Sequence, residues 1–278
     1  MREEAVRLFD VAASARTVSL RQLHSAPFSG DWLTDCSGQS SHLRSMSAAE
    51  WQDSLRYRLG LPLMTPGLCD ACQGARDGLG DHAMCCASCG RYSRHNVLRD
   101  VLVDQLRVAG YEVTVEEQVP HTEPPDRPPG PGPTGPTLRS LRPADILVRH
   151  FRSGQPLAID TTVVHPLRTS SDLPAQGVQP GVFAAKAETA KVSKYAAACH
   201  QAGWLFLPFG VEATGGWGPK ARRLIQIIAG AQAGRLGISI SEAYRLVALR
   251  LRAAVLCMVS ASYGRCAAAT IPSSEFSY

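Results

Sequence analysis

Two groups of residues in this chain have the types and spacing that chemistry requires. The first is Cys69-x2-Cys72 followed by His82 and Cys86. Two thiolates on one tight turn, with an imidazole and a thiolate from a second short segment, offer four soft or borderline donors. Such a set suits Zn²⁺, and an ion held entirely by protein ligands is structural rather than catalytic. Cys85 and Cys89 lie close by, and Cys89 in place of His82 gives a four-thiolate alternative. Gly80-Asp81 reads as a turn presenting the His82 ring, which favours Cys69, Cys72, His82 and Cys86. The second group is Asp145, Asp160, Lys191 and Lys194. Carboxylates on neighbouring strands of a hairpin supply the hard oxygens that Mg²⁺ or Mn²⁺ requires, with water filling the other positions. A lysine above them can orient the attacking water or neutralise charge on a phosphoryl transition state. As ordinary structure, the same residues are strand-end aspartates and lysines that solvate a helix.

The elements that must position these groups follow from local pattern. Ser47-Ala-Ala-Glu50 is a capping box, so a short helix should run from there to about Leu59. Apolar residues at helical spacing from Ser93 to Ala109 predict a second helix, stopped by Gly110. The valine-rich alternation of 111–119 predicts a strand, with Glu117 on it as a further acidic candidate or a solvent-facing residue. Residues 121–137, dense in Pro and Gly, read as a loop. Strands are expected over 144–148 and 157–164, joined by a turn at Ser153-Gly154. An alanine-rich helix over 183–201 and a strand buried on both faces over 204–211 follow. Helices over 218–234 and from Ser241 to about Ser260 complete the order. The fold class is therefore mixed α/β with one small central sheet flanked by helices. The corresponding division is a helical segment 1–60, a zinc knuckle 61–92, a central domain 93–218 and C-terminal helices 219–278.

Composition narrows the classes. The 278 residues are 45% hydrophobic and 19% charged, which argues against wholesale disorder. The net charge of +5 fits a polyanion partner without requiring one. Five of nine cysteines crowd into 69–89, a pattern of metal binding rather than of a disulfide framework. Neither a secretory leader nor an apolar run of membrane-spanning length is expected.

The motifs Cys-x2-Cys…Gly-Asp-His…Cys, Arg94-His95-Asn96-x-x-Arg99-Asp100, Arg-Pro-Ala-Asp145, Ile-Asp160-Thr-Thr and Lys191-Val-Ser-Lys194-Tyr occur in that order. Together, over about 59–218, they resemble the C-terminal end of site-specific non-LTR retrotransposon polyproteins. There a zinc knuckle precedes a restriction-endonuclease-like domain of the PD-(D/E)XK class. The resemblance implies an αβββαβ core, a divalent metal, nicking of a DNA strand and a place inside the cell, in the nucleus. Carried over, Asp145 matches the first acidic position of the motif and Asp160 the second. Thr162 stands where the simplest form of the motif has lysine, so Lys191 or Lys194 would supply that charge from the helix.

Arg94, His95 and Arg99, with Lys220, Arg222 and Arg223, are the candidate contacts to nucleic acid, DNA or RNA. Arg235, Arg245, Arg250 and Arg252 extend a basic C-terminal stripe that would make binding salt-dependent. A solvated helix face is the plain alternative. Three functions follow: a metal-dependent endonuclease, a catalytically inactive, zinc-stabilised nucleic-acid-binding remnant, or a zinc-stabilised interaction domain with no nucleic-acid role.

Overall fold

The computed structural model describes residues 15–26, 30, 33, 47–116, 144–167 and 177–266; Glu117 and the 121–137 segment lie outside them. Helix α1 spans Ala15–Leu23 and α2 spans Ala48–Leu59. The capping box forms as expected: the Glu50 N–H donates to the Ser47 hydroxyl, and the Ser47 N–H donates to the Glu50 carboxylate. Gly60 ends α2 at φ 68°, a conformation glycine adopts without strain. A small hairpin of β1 (Gly67–Leu68) and β2 (Ala75–Arg76) precedes the short helix α3 (Asp81–Cys85), and α4 covers Arg91–Val108.

Four strands form the main sheet in the order β3 (Val113–Val115), β4 (Ile146–Arg152), β5 (Gln155–Val164) and β6 (Leu205–Glu212). The β4–β5 hairpin closes on Ser153 and Gly154, both at positive φ (51° and 78°), so the turn follows the twist of its strands. β6 runs parallel to β5 because α5 (Val182–Gln201) carries the chain back across the sheet. Helices α6 (Pro219–Leu236) and α7 (Ile240–Cys266) complete the chain's described part. The order helix, strand, strand, strand, helix, strand, helices is the one the sequence predicts. Its boundaries move: β4 starts later and runs farther than expected, and α7 continues past Ser260 to Cys266. It continues because Ser262, Tyr263 and Cys266 are buried against the cysteine cluster, so packing rather than a stop signal sets its length.

The two sheet faces carry different cores. Ile146, Val148, Leu157, Ile159, Phe209 and Val211 pack with Leu98, Leu102 and Leu106 of α4 and with apolar residues of α6 and α7. Leu147 and Ala158, on the other face, pack with Cys199 of α5 and Trp204. At β6 a Cβ on Gly210 would lie 2.8 Å from the Ala184 carbonyl, so glycine lets α5 approach the strand backbone. By length and hydropathy α7 is apolar enough to cross a membrane, which the sequence reading did not expect; 83% of its apolar window is buried in the fold, as in a core helix.

Helices α5 and α6 both begin at glycines that offer no side-chain cap, Gly181 and Gly218. Two buried glutamates serve instead. Glu212, ending β6, accepts from the N–H groups of Gly181 (2.9 Å), Phe183 (2.9 Å) and Ala184 (3.4 Å). Glu188, within α5, accepts from Lys220 (3.0 Å) and Ala221 (2.9 Å) at the start of α6, and from Gly210 (3.2 Å). Each carboxylate satisfies orphan amides and meets the positive end of a helix dipole.

Candidate functional site

The acidic pair is built by strand register. Ile146 pairs with Ile159 and Leu147 with Ala158, so continuing that register one residue past the start of β4 brings Asp145 towards Asp160. Directly opposed residues of an antiparallel pair share a face, with Cβ atoms about 5 Å apart. Asp145 precedes β4, and its carboxylate reaches back to β5. Oδ2 accepts from the Thr161 N–H (2.6 Å) and the Thr161 hydroxyl (3.0 Å), and Oδ1 lies 3.1 Å from His95 Nε2. Burial works to raise the Asp145 pKa, but His95 and Thr161 outweigh it and hold the carboxyl below its usual range. The hydrogen bond to Asp145 raises the His95 pKa in turn, against the opposing effect of burial.

Asp160 is 4% exposed. Lys191 Nζ lies 3.2 Å from Oδ1 and 2.8 Å from Oδ2. The second approach is off the hydrogen-bond direction, so Oδ2 is buried without a hydrogen bond. Burial is the main influence on Asp160 and pushes its pKa up to about 6, with Lys191 partly offsetting it and Asp145 adding to it. Asp160 Oδ2 is therefore a buried carboxylate oxygen held by an ion pair rather than by a hydrogen bond, with the Asp145 charge nearby. Among the described residues no third His, Cys, Asp or Glu joins these two in a compact ligand set.

Lys194 has a different place. It is exposed, and its ammonium sits over the Tyr195 ring, 4.6 Å from the centroid. His95, counted with the nucleic-acid contacts, instead partners the carboxylate pair; its position one turn into α4 is visible in the sequence, but its partner is not.

The cysteine cluster can hold a metal such as zinc. The donor atoms of Cys69, Cys72, His82 and Cys86 all lie within 4.8 Å of one another, as the sequence spacing predicts. Cys69, His82, Cys89 and Cys266 meet the same test. Cys266 comes from the end of α7, and no local spacing reveals it. Cys69 Sγ lies 3.4 Å from Cys89 Sγ and 3.6 Å from Cys266 Sγ, and Cys72 Sγ lies 3.4 Å from His82 Nε2. Bond lengths of about 2.3 Å around a tetrahedral ion require sulfur separations near these. Cys69 is buried, which works to raise its thiol pKa, yet hydrogen bonds from Cys89 and from the Ala71 and Cys72 amides bring it down to about 5.

The turn that presents His82 is set by Asp77 as well as by Gly80 at φ 83°. The Asp77 carboxylate accepts from the N–H groups of Leu79 (2.8 Å), Asp81 (3.1 Å) and His82 (2.6 Å). The Asp81 side chain points away from the cluster. It accepts from Arg16 and lies 2.8 Å from His165 Nε2, and the other His165 nitrogen meets the Tyr57 hydroxyl at 3.2 Å. The knuckle is thereby fastened to α1, α2 and the end of β5.

The basic candidates divide. Arg94 is 5% exposed, and its guanidinium bonds the carbonyls of Ala83, Met84 and Cys89 and the Ser262 hydroxyl. It is an internal strut between the knuckle and α7, a correction to its placement among surface contacts. Arg99 pairs with Asp100 and Glu116 and is largely covered. Arg252 is buried over Trp217, and Arg250 bonds Gln105, so these two leave the stripe. Lys220, Arg222 and Arg223 are exposed at the start of α6, with Arg222 also donating to the Trp217 carbonyl.

No protein-family model matches the chain, and no curated protein matches it either.

Proposed function

We propose that the chain is a metal-dependent DNA endonuclease domain of the strand-nicking kind, from a retrotransposon or a gene derived from one. The observation that carries this reading is the closeness of Asp145 and Asp160, the charge of the first felt by the second, with Lys191 on one carboxylate and His95 on the other. The PD-(D/E)XK resemblance and the αβββαβ order from α4 to β6 support it.

Asp145 and Asp160 would hold Mg²⁺ or Mn²⁺, which when bound supplies Lewis acidity for phosphodiester hydrolysis. Thr161 fixes the Asp145 carboxylate through two donors. Lys191, delivered from α5, takes the role of the lysine that Thr162 does not provide, neutralising charge as it builds on the phosphate. His95 can hold a proton beside Asp145, 3.1 Å from its Oδ1. Lys220, Arg222 and Arg223 would meet DNA phosphates, and Zn²⁺ in the cysteine cluster would brace the knuckle against α7.

A second reading has its own support. Lys191 is already ion-paired with Asp160, and Asp145 is satisfied by Thr161 and His95, so both carboxylates have partners from the protein itself. This describes a nucleic-acid-binding remnant that no longer cuts. Supercoiled plasmid incubated with the zinc-loaded protein and Mg²⁺, beside Asp145→Asn and Asp160→Asn, separates the two. Nicking by the parent alone supports the nuclease, and equal behaviour of all three removes it.

A further inference from the structure

The cysteine cluster holds more donors than one ion can use. Cys69 and His82 belong to both four-donor sets; Cys72 and Cys86 complete one, and Cys89 and Cys266 complete the other. A structural zinc site takes four donors, so two of the six stand idle whichever set is filled.

The two completing pairs differ in access. Cys72 is exposed, on the turn between β1 and β2, where the Gly74 N–H donates to its sulfur (3.4 Å), and Cys86 directly follows α3. Cys89 and Cys266 are both 0% exposed. Their place beside Cys69 is fixed by the protein itself. The Cys266 carbonyl accepts from the Arg76 guanidinium (2.8 Å) and from the Asp70 N–H (3.4 Å), which ties the end of α7 to the knuckle hairpin. Arg94 donates both to the Cys89 carbonyl (3.2 Å) and to the Ser262 hydroxyl (2.8 Å), which holds the two chain segments together. Cys69 Sγ, 3.4 Å from the Cys89 sulfur and 3.6 Å from that of Cys266, already has close to the spacing that a tetrahedral ion imposes.

We propose that Cys89 and Cys266 are reserve ligands for the zinc of this cluster. They take over the coordination positions of Cys72 and Cys86, so the ion is retained when the exposed Cys72 no longer binds it. In the intact chain the exchange breaks two sulfur–zinc bonds and forms two, with Cys69 and His82 common to both arrangements. The arriving thiols of Cys89 and Cys266 release two protons, and the departing thiolates of Cys72 and Cys86 take up two. The proposal rests on the zinc reading of the cluster and adds a second coordination set, one that reaches α7.

Native mass spectrometry of the zinc-loaded full chain tests it. One zinc is expected in the parent, in Cys89→Ser/Cys266→Ser, which leaves only the first set, and in Cys72→Ser/Cys86→Ser, which leaves only the second. Zinc in the parent but none in Cys72→Ser/Cys86→Ser overturns the proposal and leaves the zinc reading standing. No zinc in the parent removes both, and two ions in the parent show that the sets fill together, which overturns the reserve role. The single variant Cys72→Ser, at an exposed position, guards against misfolding. It should keep its zinc while Cys86, now released, is alkylated by N-ethylmaleimide about tenfold or more faster than in the zinc-loaded parent. Loss of zinc from Cys72→Ser, or Cys86 still protected in it, overturns the proposal.

Discussion

Lys191 Nζ sits 2.8 Å from Asp160 Oδ2, yet this buried carboxylate still has its pKa pushed up to about 6. Desolvation and the neighbouring Asp145 together outweigh the ammonium. Lys191 thus offsets only part of the cost of burying this carboxylate beside Asp145.

A pH dependence follows. The native pKa of Asp160 lies above its ordinary 3.8, so its contribution is fully present at low pH and is lost as pH rises from about 3.8 through about 6. The shift corresponds to about 3 kcal/mol at most. Without divalent metal, urea unfolding of the parent should show falling stability between about pH 4 and 6.5. Asp160→Asn should flatten that part of the profile, and Mg²⁺ should restore stability to the parent at pH 7 but not to the variant. A parent profile identical to that of Asp160→Asn would count against the shift.

The two lysines of α5 should separate. Lys191→Ala, which removes the cation at Asp160, is expected to lower single-turnover nicking by about 10²–10³-fold. Lys194→Ala, which removes a contact with the Tyr195 ring, should change it less than about threefold. Equal losses would place the reacting phosphate elsewhere on the helix.

Metal content can be read by native mass spectrometry. Cys69 belongs to both four-donor sets, so Cys69→Ser should abolish zinc retention and lower the melting temperature. Cys72→Ser and Cys266→Ser each touch one set. Loss of zinc in Cys72→Ser with retention in Cys266→Ser identifies the knuckle set, and the reverse identifies the set that clasps α7.

The exchanged glutamate caps carry stability. Glu212→Ala strands three amides at the start of α5 and should cost about 2–4 kcal/mol, measured by the urea midpoint. Gly218→Ala tests the other cap sterically. Its φ of −64° suits any residue, but a Cβ there would lie 2.2 Å from Glu188 Oε1, so destabilisation would come from the displaced cap alone.

What the sequence discloses and what it conceals divide along physical lines. The Ser47–Glu50 box, the Ser153-Gly154 turn and the alanine-rich α5 are local signals, and each element appears where its signal stands. The Cys-x2-Cys pair and His82 were legible for the same reason: their spacing is a property of one short segment. Cys266, His95 beside Asp145 and the glutamate caps were not, because each arises from contact between residues far apart in the chain. Arg94 misled because a positive charge near a knuckle suggests phosphate, whereas its burial among carbonyls is a tertiary fact. The basic stripe of the last two helices is thinned similarly, since helical periodicity turns Arg252 inward while leaving Arg223 in solvent.

The central claim is that Asp145 and Asp160 together hold a divalent cation, and Mn²⁺ titration by calorimetry tests it most directly. The zinc-loaded parent should bind one Mn²⁺ that both Asp145→Asn and Asp160→Asn lose, with the cysteine cluster's zinc undisturbed in all three. Unchanged Mn²⁺ binding in the variants, or none in the parent, would contradict the account.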